Sequence, residues 1–189
     1  LMTAKRKVKA FFLRVFFLLV IIMYTSCQKN NPIETSFKNE VFIKSDKEHT
    51  EAYFLTATAG ISKSVISKSQ VAQQKSSESS IKEISRKLEN QQNLLLLDVT
   101  KMANSRLVIV TDIETINKQD LYDLIDKDKT NFDKAYLDSV IESLEAQIKL
   151  FESISKDTND KMILKLVLQY LPTDYQFLRE TKQIKEQIY

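Results

Sequence analysis

One glycine, Gly60, and two prolines, Pro32 and Pro172, serve a chain of 189 residues. Sandwiches and barrels need a turn every few residues, and glycine and proline supply most of that punctuation. A chain this poor in both is restricted to long helices joined by few connections. Its length is enough for one domain of ordinary size with a substantial core.

The amino-terminal region carries a different message. Lys5, Arg6, Lys7, Lys9 and Arg14 are followed by an apolar run, Val15 to Met23, then by Thr25, Ser26 and Cys27. A basic segment, a short apolar stretch and small residues form the layout of an export signal. Even counted from Phe11 the stretch is interrupted by Arg14, and it falls short of the roughly 20 apolar residues that span a bilayer. Met23-Tyr24-Thr25-Ser26-Cys27 resembles the lipobox of bacterial lipoproteins, although an aliphatic residue is usual where Tyr24 stands. Residues 1–26 are therefore expected to be a lipoprotein signal peptide, with Cys27 the lipid attachment site. Each buried CH₂ of an acyl chain such as palmitate contributes about 0.8 kcal/mol, so a multiply acylated cysteine would hold a soluble domain at a membrane. The expected location is the cell envelope, at the periplasmic face or the outer membrane.

Cys27 is the only cysteine, which excludes an internal disulfide and any multi-cysteine metal site. The five basic residues before it, unopposed by any acid, turn the formal charge of +3 into −2 for the remainder. Basic residues there are interspersed with acids, so the footprint of a nucleic-acid binder is missing and no nucleic-acid partner is expected.

Residues 27–46 show no sustained helical period and read as a lipidated cysteine and flexible tether; residues 47–189 read as the folded domain. Ser45-Asp46-Lys47-Glu48 offers a capping box for a first helix running to about Ser76. Phe54, Leu55, Ile61, Val65, Ile66 and Ala72 share one broad face of it, with Lys63, Lys68 and Gln73 elsewhere. After the short break Ser76 to Ser79, Ser80-Ile81-Lys82-Glu83 is a second capping box. The helix it opens carries Ile81, Ile84, Leu88, Leu95, Val99 and Met102, and the step from Leu88 to Leu95 puts Gln91 or Gln92 in the seam. Residues 104–130 read as a long crossover packed on the bundle, with one or two helical turns at Asp120 to Ile125. A third helix from Asn131 or Asp133 shows Tyr136, Val140, Leu144, Ile148 and Phe151, flanked by Leu137, Ile141 and Ile154. Asp157 or Asn159 caps a fourth, bearing Ile163, Leu166, Val167, Tyr170, Leu171, Phe177 and Leu178, which Pro172 should kink. The expected fold is all-α: a four-helix bundle with one long crossover between helices two and three.

The order of these features resembles a large family of bacterial secreted and lipoprotein domains of unknown function, often labelled predicted outer membrane proteins and grouped with ferritin-like bundles. Its carriers, between Ala52 and Ile184, are Phe54-Leu55 with Ala57 and Ala59, Val71-Ala72, Asn131-Phe132-Asp133-Lys134-Ala135-Tyr136-Leu137, Ile148-Lys149-Leu150-Phe151 and Leu171-Pro172-Thr173. The resemblance implies a histidine in each of helices two, three and four, pointing into the bundle. The matching positions here are Gln92, Leu144 and Phe177, so the family's usual histidines are missing. An acidic residue usual in helix one has Val65 and Ser67 as its nearest matches.

No catalytic, cofactor-binding or metal-ligating set is expected. A ferritin-like di-metal centre needs converging carboxylates and Glu-x-x-His pairs, and no Glu-x-x-His occurs. Glu142 and Glu145 share a face that reads as solvated, with Glu145 near Lys149. His49 has no partner set and reads as an exposed residue of the cap region. Nucleophilic catalysis would need more than serines without a Gly-x-Ser-x-Gly elbow or a second histidine. Gln91 and Gln92 read as a buried amide that fixes helix register, or as a pair at the bundle's edge, ahead of a remnant of a binding pocket. Tyr136 and Tyr170 read as core residues with a wetted hydroxyl. The function implied is a membrane-tethered, non-enzymatic binding or structural module of unknown ligand. The alternative is a ferritin-like metal-binding or redox protein. An apolar, dry interior in which Leu144 and Phe177 fill the space of the absent imidazoles is expected.

Overall fold

A computed structural model describes residues 32–110, 121–126 and 129–189, without the side chains of 32–45, 129 and 130. The expected signal segment and Cys27 lie outside the described residues. Two compact units are distinguished, Leu1–Ile43 and Lys44–Tyr189. Among the described residues the regular structure is entirely helical, dominated by four long helices: α1 (Pro32–Lys75), α2 (Ser79–Ser105), α3 (Lys129–Asp157) and α4 (Lys161–Ile188).

The starts of these helices depart from the expected caps. α1 begins at Pro32, so Ser45-Asp46-Lys47-Glu48 lies inside it and residues 32–46, expected as tether, are helical. Proline is tolerated in a first turn, where its missing N–H has no intrahelical partner to lose, and no glycine or proline interrupts the chain again before Gly60. α2 begins at Ser79, with Glu78 at the N-cap and no side-chain cap. The box expected at Ser80 does not form; the Ser76 hydroxyl accepts from the Glu78 amide at 3.1 Å instead. On α4 the cap is Asp160, not Asp157 or Asn159: its Oδ1 accepts from the amides of Met162 (2.8 Å) and Ile163 (3.1 Å).

α2 ends without glycine. Leu107 adopts φ 56°, the left-handed region, while Val108 donates its amide to Ala103 O (3.0 Å) and Leu107 to Asn104 O (3.2 Å). This is the double hydrogen bond that usually closes a helix over a glycine. A Cβ in that region costs about 1–2 kcal/mol, and the chain accepts it where its one glycine is elsewhere.

Cross-helix contacts give the directions. Arg106, at the end of α2, donates to Glu51 Oε2 in the first half of α1 (3.0 Å), and Gln70 and Gln73 in its second half both donate to Glu89, so α1 and α2 are antiparallel. Ser85 meets Tyr136 and Gln92 meets Gln147, so α2 and α3 run parallel. Glu145 pairs with Lys182 (2.7 Å) and Asp138 with Lys185 (2.5 Å), making α3 and α4 antiparallel. Parallel α2 and α3 require the chain to travel back along the bundle, which is the work of the crossover. Its described helical turn at residues 121–125 seats Leu124 in the core.

The apolar faces are those the periodicity predicts. One cluster contains Val65, Ala72, Ile81, Ile84, Leu88, Tyr136, Val140, Leu144 and Phe177. A second contains Phe54, Leu55, Ala59, Leu95, Val99, Phe151, Ile163, Val167 and Tyr170, with the Phe54 and Phe151 rings 5.4 Å apart. Lys68, expected on the outer face of α1, is buried instead. It stands three residues after Val65 and four before Ala72, so it falls in the apolar stripe, where a lysine stem can pack.

Candidate functional site: a buried polar layer

Between the two apolar clusters each helix turns polar at its buried face. α1 places Ser62 between Ala59 and Val65, α2 Gln92 between Leu88 and Leu95, α3 Gln147 between Leu144 and Phe151, and α4 Asp174 between Tyr170 and Phe177; all four polar residues are 0% exposed. Thr58, one turn before Ser62, is equally buried. Cross-helix contacts fix the common level. On α2 and α4, Lys87 to Glu180 (3.0 Å) and Asp98 to Tyr170 (2.6 Å) bracket Gln92 and Asp174. On α1 and α3, Ser69 to Tyr136 (3.3 Å) and the Phe54–Phe151 ring contact bracket Thr58, Ser62 and Gln147.

Gln92 and Gln147 are reciprocally bonded, Gln92 Nε2 to Gln147 Oε1 at 3.0 Å and Gln147 Nε2 to Gln92 Oε1 at 3.3 Å. A reciprocal amide pair satisfies two buried side chains at one relative height of the helices and at no other, so it fixes register. Gln91 is half-buried beside it. The buried, register-fixing reading of Gln92 is what the contacts describe; its partner, Gln147, was hidden in the sequence by Ile148, the more obvious seam residue.

Asp174 has no such partner. Neither carboxylate oxygen makes a hydrogen bond, and the Thr58 and Ser62 hydroxyls make none either. Two other buried helical hydroxyls turn back onto their own helix: Ser85 donates to Ile81 O (2.6 Å) and Thr181 to Phe177 O (2.7 Å). Burial alone, with no neighbouring charge contributing, pushes the Asp174 carboxyl up to about 7. The expectation of an apolar interior is thus corrected. Leu144 and Phe177 are buried together as expected, but they flank a polar layer.

A second polar group lies about two turns further toward the α1–α2 connection. Tyr136 is wholly buried and its hydroxyl lies within hydrogen-bonding distance of the hydroxyls of Ser85 (2.8 Å) and Ser69 (3.3 Å). Burial raises its pKa above the ordinary phenol value, and the two serine contacts oppose that rise. It is a satisfied core tyrosine. Tyr170 is also buried, and burial together with the Asp98 carboxylate that accepts its hydrogen bond raises its pKa above the ordinary phenol value.

At the opposite end, Arg106 ties three helices. It donates to Glu51 of α1 and, through Nη2, to Asp160 Oδ2 (2.8 Å), while the Thr158 hydroxyl donates to Glu51 Oε1 (2.5 Å). Partial burial works against ionisation of Asp160, but the Ile163 and Met162 amides and Arg106 outweigh it and hold the carboxyl below its ordinary value. This group serves as a structural clasp.

The remaining residues singled out in the sequence are not brought together. His49, Glu142 and Glu145 are exposed. Glu145 pairs with Lys182 of α4 across the helix interface, not with Lys149. Among the described residues no group of three or more His, Cys, Asp or Glu could hold a metal ion, and no helix is long and apolar enough to cross a membrane.

An all-helical domain whose described helices carry a buried polar layer between two apolar clusters is the class that fold and site define. The chain belongs to the family described as a domain of unknown function (DUF4142), whose model matches residues 43–184. No curated protein and no solved structure is significantly similar to it.

Proposed function

We propose that this protein is a lipoprotein of the bacterial cell envelope, cut before Cys27 and tethered through lipid on that residue. Its helical domain is a four-helix bundle of the ferritin-like kind with one long crossover, serving as a non-enzymatic binding or structural module for a protein or small molecule. The observation that carries the tether is the position of the only cysteine, directly after a basic segment, an apolar run and two small residues. Metabolic labelling with an alkynyl fatty acid in a bacterial host is expected to mark the wild type and leave Cys27→Ser unmarked. Equal labelling of both, or of neither, removes the anchor.

The rival reading is a ferritin-like metal or redox protein with its ligands in the buried polar layer, where Gln92 stands at a position that the family resemblance gives to a histidine. Its donors argue against transition ions: two amides, hydroxyls and a single carboxylate supply neither imidazole nor thiolate. Elemental analysis after dialysis is expected to find no stoichiometric iron, manganese or zinc, and a retained equivalent of any of them would favour the rival.

A further inference from the structure

The polar layer contains oxygens that no protein donor engages, at the centre of the described unit and on two different helices. Thr58 Oγ1 and Ser62 Oγ of α1, and both carboxylate oxygens of Asp174 on α4, are buried without a hydrogen bond. Buried polar atoms in native proteins are nearly always satisfied, and a cluster of exceptions asks for an occupant. The two hydroxyls sharpen the point. A buried helical serine or threonine normally bonds its own helix, as Ser85 and Thr181 do here, whereas Thr58 and Ser62 forgo that bond at the level where Asp174 enters from α4. The Gln92–Gln147 pair adds two carbonyl oxygens at the same level, each keeping a lone pair beyond the one its partner uses.

The geometry points to a binding site for one dehydrated alkali-metal cation, Na⁺ or K⁺, held by the Asp174 carboxylate together with neutral oxygens of Thr58, Ser62 and the Gln92–Gln147 pair. Every candidate donor is a hard oxygen, which suits an alkali or alkaline-earth ion. Charge decides between them. Asp174 is the layer's only acidic group, and its carboxyl responds to burial without contribution from any neighbouring charge. A monovalent cation neutralises it. A divalent ion would leave one uncompensated positive charge in a low-dielectric interior, which is heavily penalised, and calcium sites generally recruit several carboxylates. The inference stands apart from the membrane tether and does not depend on it.

The test is thermal unfolding of the full chain, purified in detergent, at alkaline pH and constant ionic strength. Sodium chloride and potassium chloride are compared with N-methyl-D-glucamine chloride. A ligand that binds only the folded state raises the melting temperature in a saturable way. One of the two alkali ions is expected to raise it by several degrees, the response being abolished in Asp174→Asn and retained in Cys27→Ser. Equal melting temperatures in all three salts would mean that water alone serves the layer, and would overturn the proposal; so would an undiminished response in Asp174→Asn. Should Asp174→Asn fail to fold, Ser62→Ala removes one neutral oxygen and is expected to shift the response to higher cation concentration. Crystals containing thallium(I) give an independent reading: an anomalous peak beside the Asp174 carboxylate is expected, and its absence counts against the site.

Discussion

Leu144→Ala is expected to destabilise the protein by about 2–5 kcal/mol, the usual range for truncating a buried leucine to alanine. Leu144 is fully buried in the cluster formed with Leu88, Tyr136, Val140 and Phe177, so the lost methyls leave a cavity that the four helices can close only in part. A domain holds about 5–15 kcal/mol in total, and a loss of this size would be plain in the midpoint of a urea titration. The residue stands at a position where the family resemblance implies a histidine, which makes the substitution diagnostic. A shift of a few tenths of a kcal/mol would mean that Leu144 does not seal the core beside the polar layer. Metal content should not change.

The second large effect is on the pH dependence of stability and belongs to Asp174. In the unfolded chain its carboxyl titrates near the ordinary value of about 3.9, whereas burial raises it to about 7 in the folded protein. Below about pH 4 both states hold the proton and the residue contributes no pH dependence. From there to about 7 the unfolded chain has lost the proton while the folded protein retains it, so stability falls as pH rises. Above about 7 the loss is complete, on the order of 4 kcal/mol at 1.36 kcal/mol per pH unit. Asp174→Asn cannot ionise and removes this slope. In buffers free of alkali cations the variant is expected to be the more stable protein at pH 8 by a few kcal/mol, and to lose that advantage at pH 4. Urea titrations of the two proteins from pH 4 to 8 provide the check; parallel curves would contradict the assignment.

Helical periodicity made much of this domain legible. The seams of α2 and α3 are simple repeats, and Ile81, Ile84, Leu88, Leu95 and Val99, or Tyr136, Val140, Leu144 and Phe151, reach the core as their spacing requires. The caps were less legible, because Ser80-Ile81-Lys82-Glu83 satisfies a local pattern while the helix already starts at Ser79 without a side-chain cap, the Ser76 hydroxyl meeting only the Glu78 amide before it. α1 has no break at its expected start because nothing there forbids a helix. Lys68 shows the limit of reading polarity as exposure: a long charged side chain can occupy a stripe position.

The polar layer was half visible. A seven-residue step from Leu88 to Leu95 exposes Gln92 as the residue between, but the matching positions are masked by neighbours that explain themselves. Ile148 covers for Gln147, Ala59 and Val65 for Ser62, and Pro172 draws attention from Asp174, two residues on. The signal was available in one rule: the residue four after Tyr170 and three before Phe177 must share their face. What no spacing reveals is that four such positions on four helices fall at one height, since that height is set by long-range contacts such as Lys87 to Glu180 and Asp98 to Tyr170.

An acid without a protein partner lies inside the bundle between two apolar clusters, and that placement can be measured. Its most direct test is a ¹³C NMR titration of the Asp174 side-chain carboxyl, assigned by its disappearance in Asp174→Asn, in a buffer without alkali cations. A midpoint near 7 is predicted; a midpoint near the ordinary carboxylate value would place Asp174 in contact with water or a positive charge and contradict its isolation in the core.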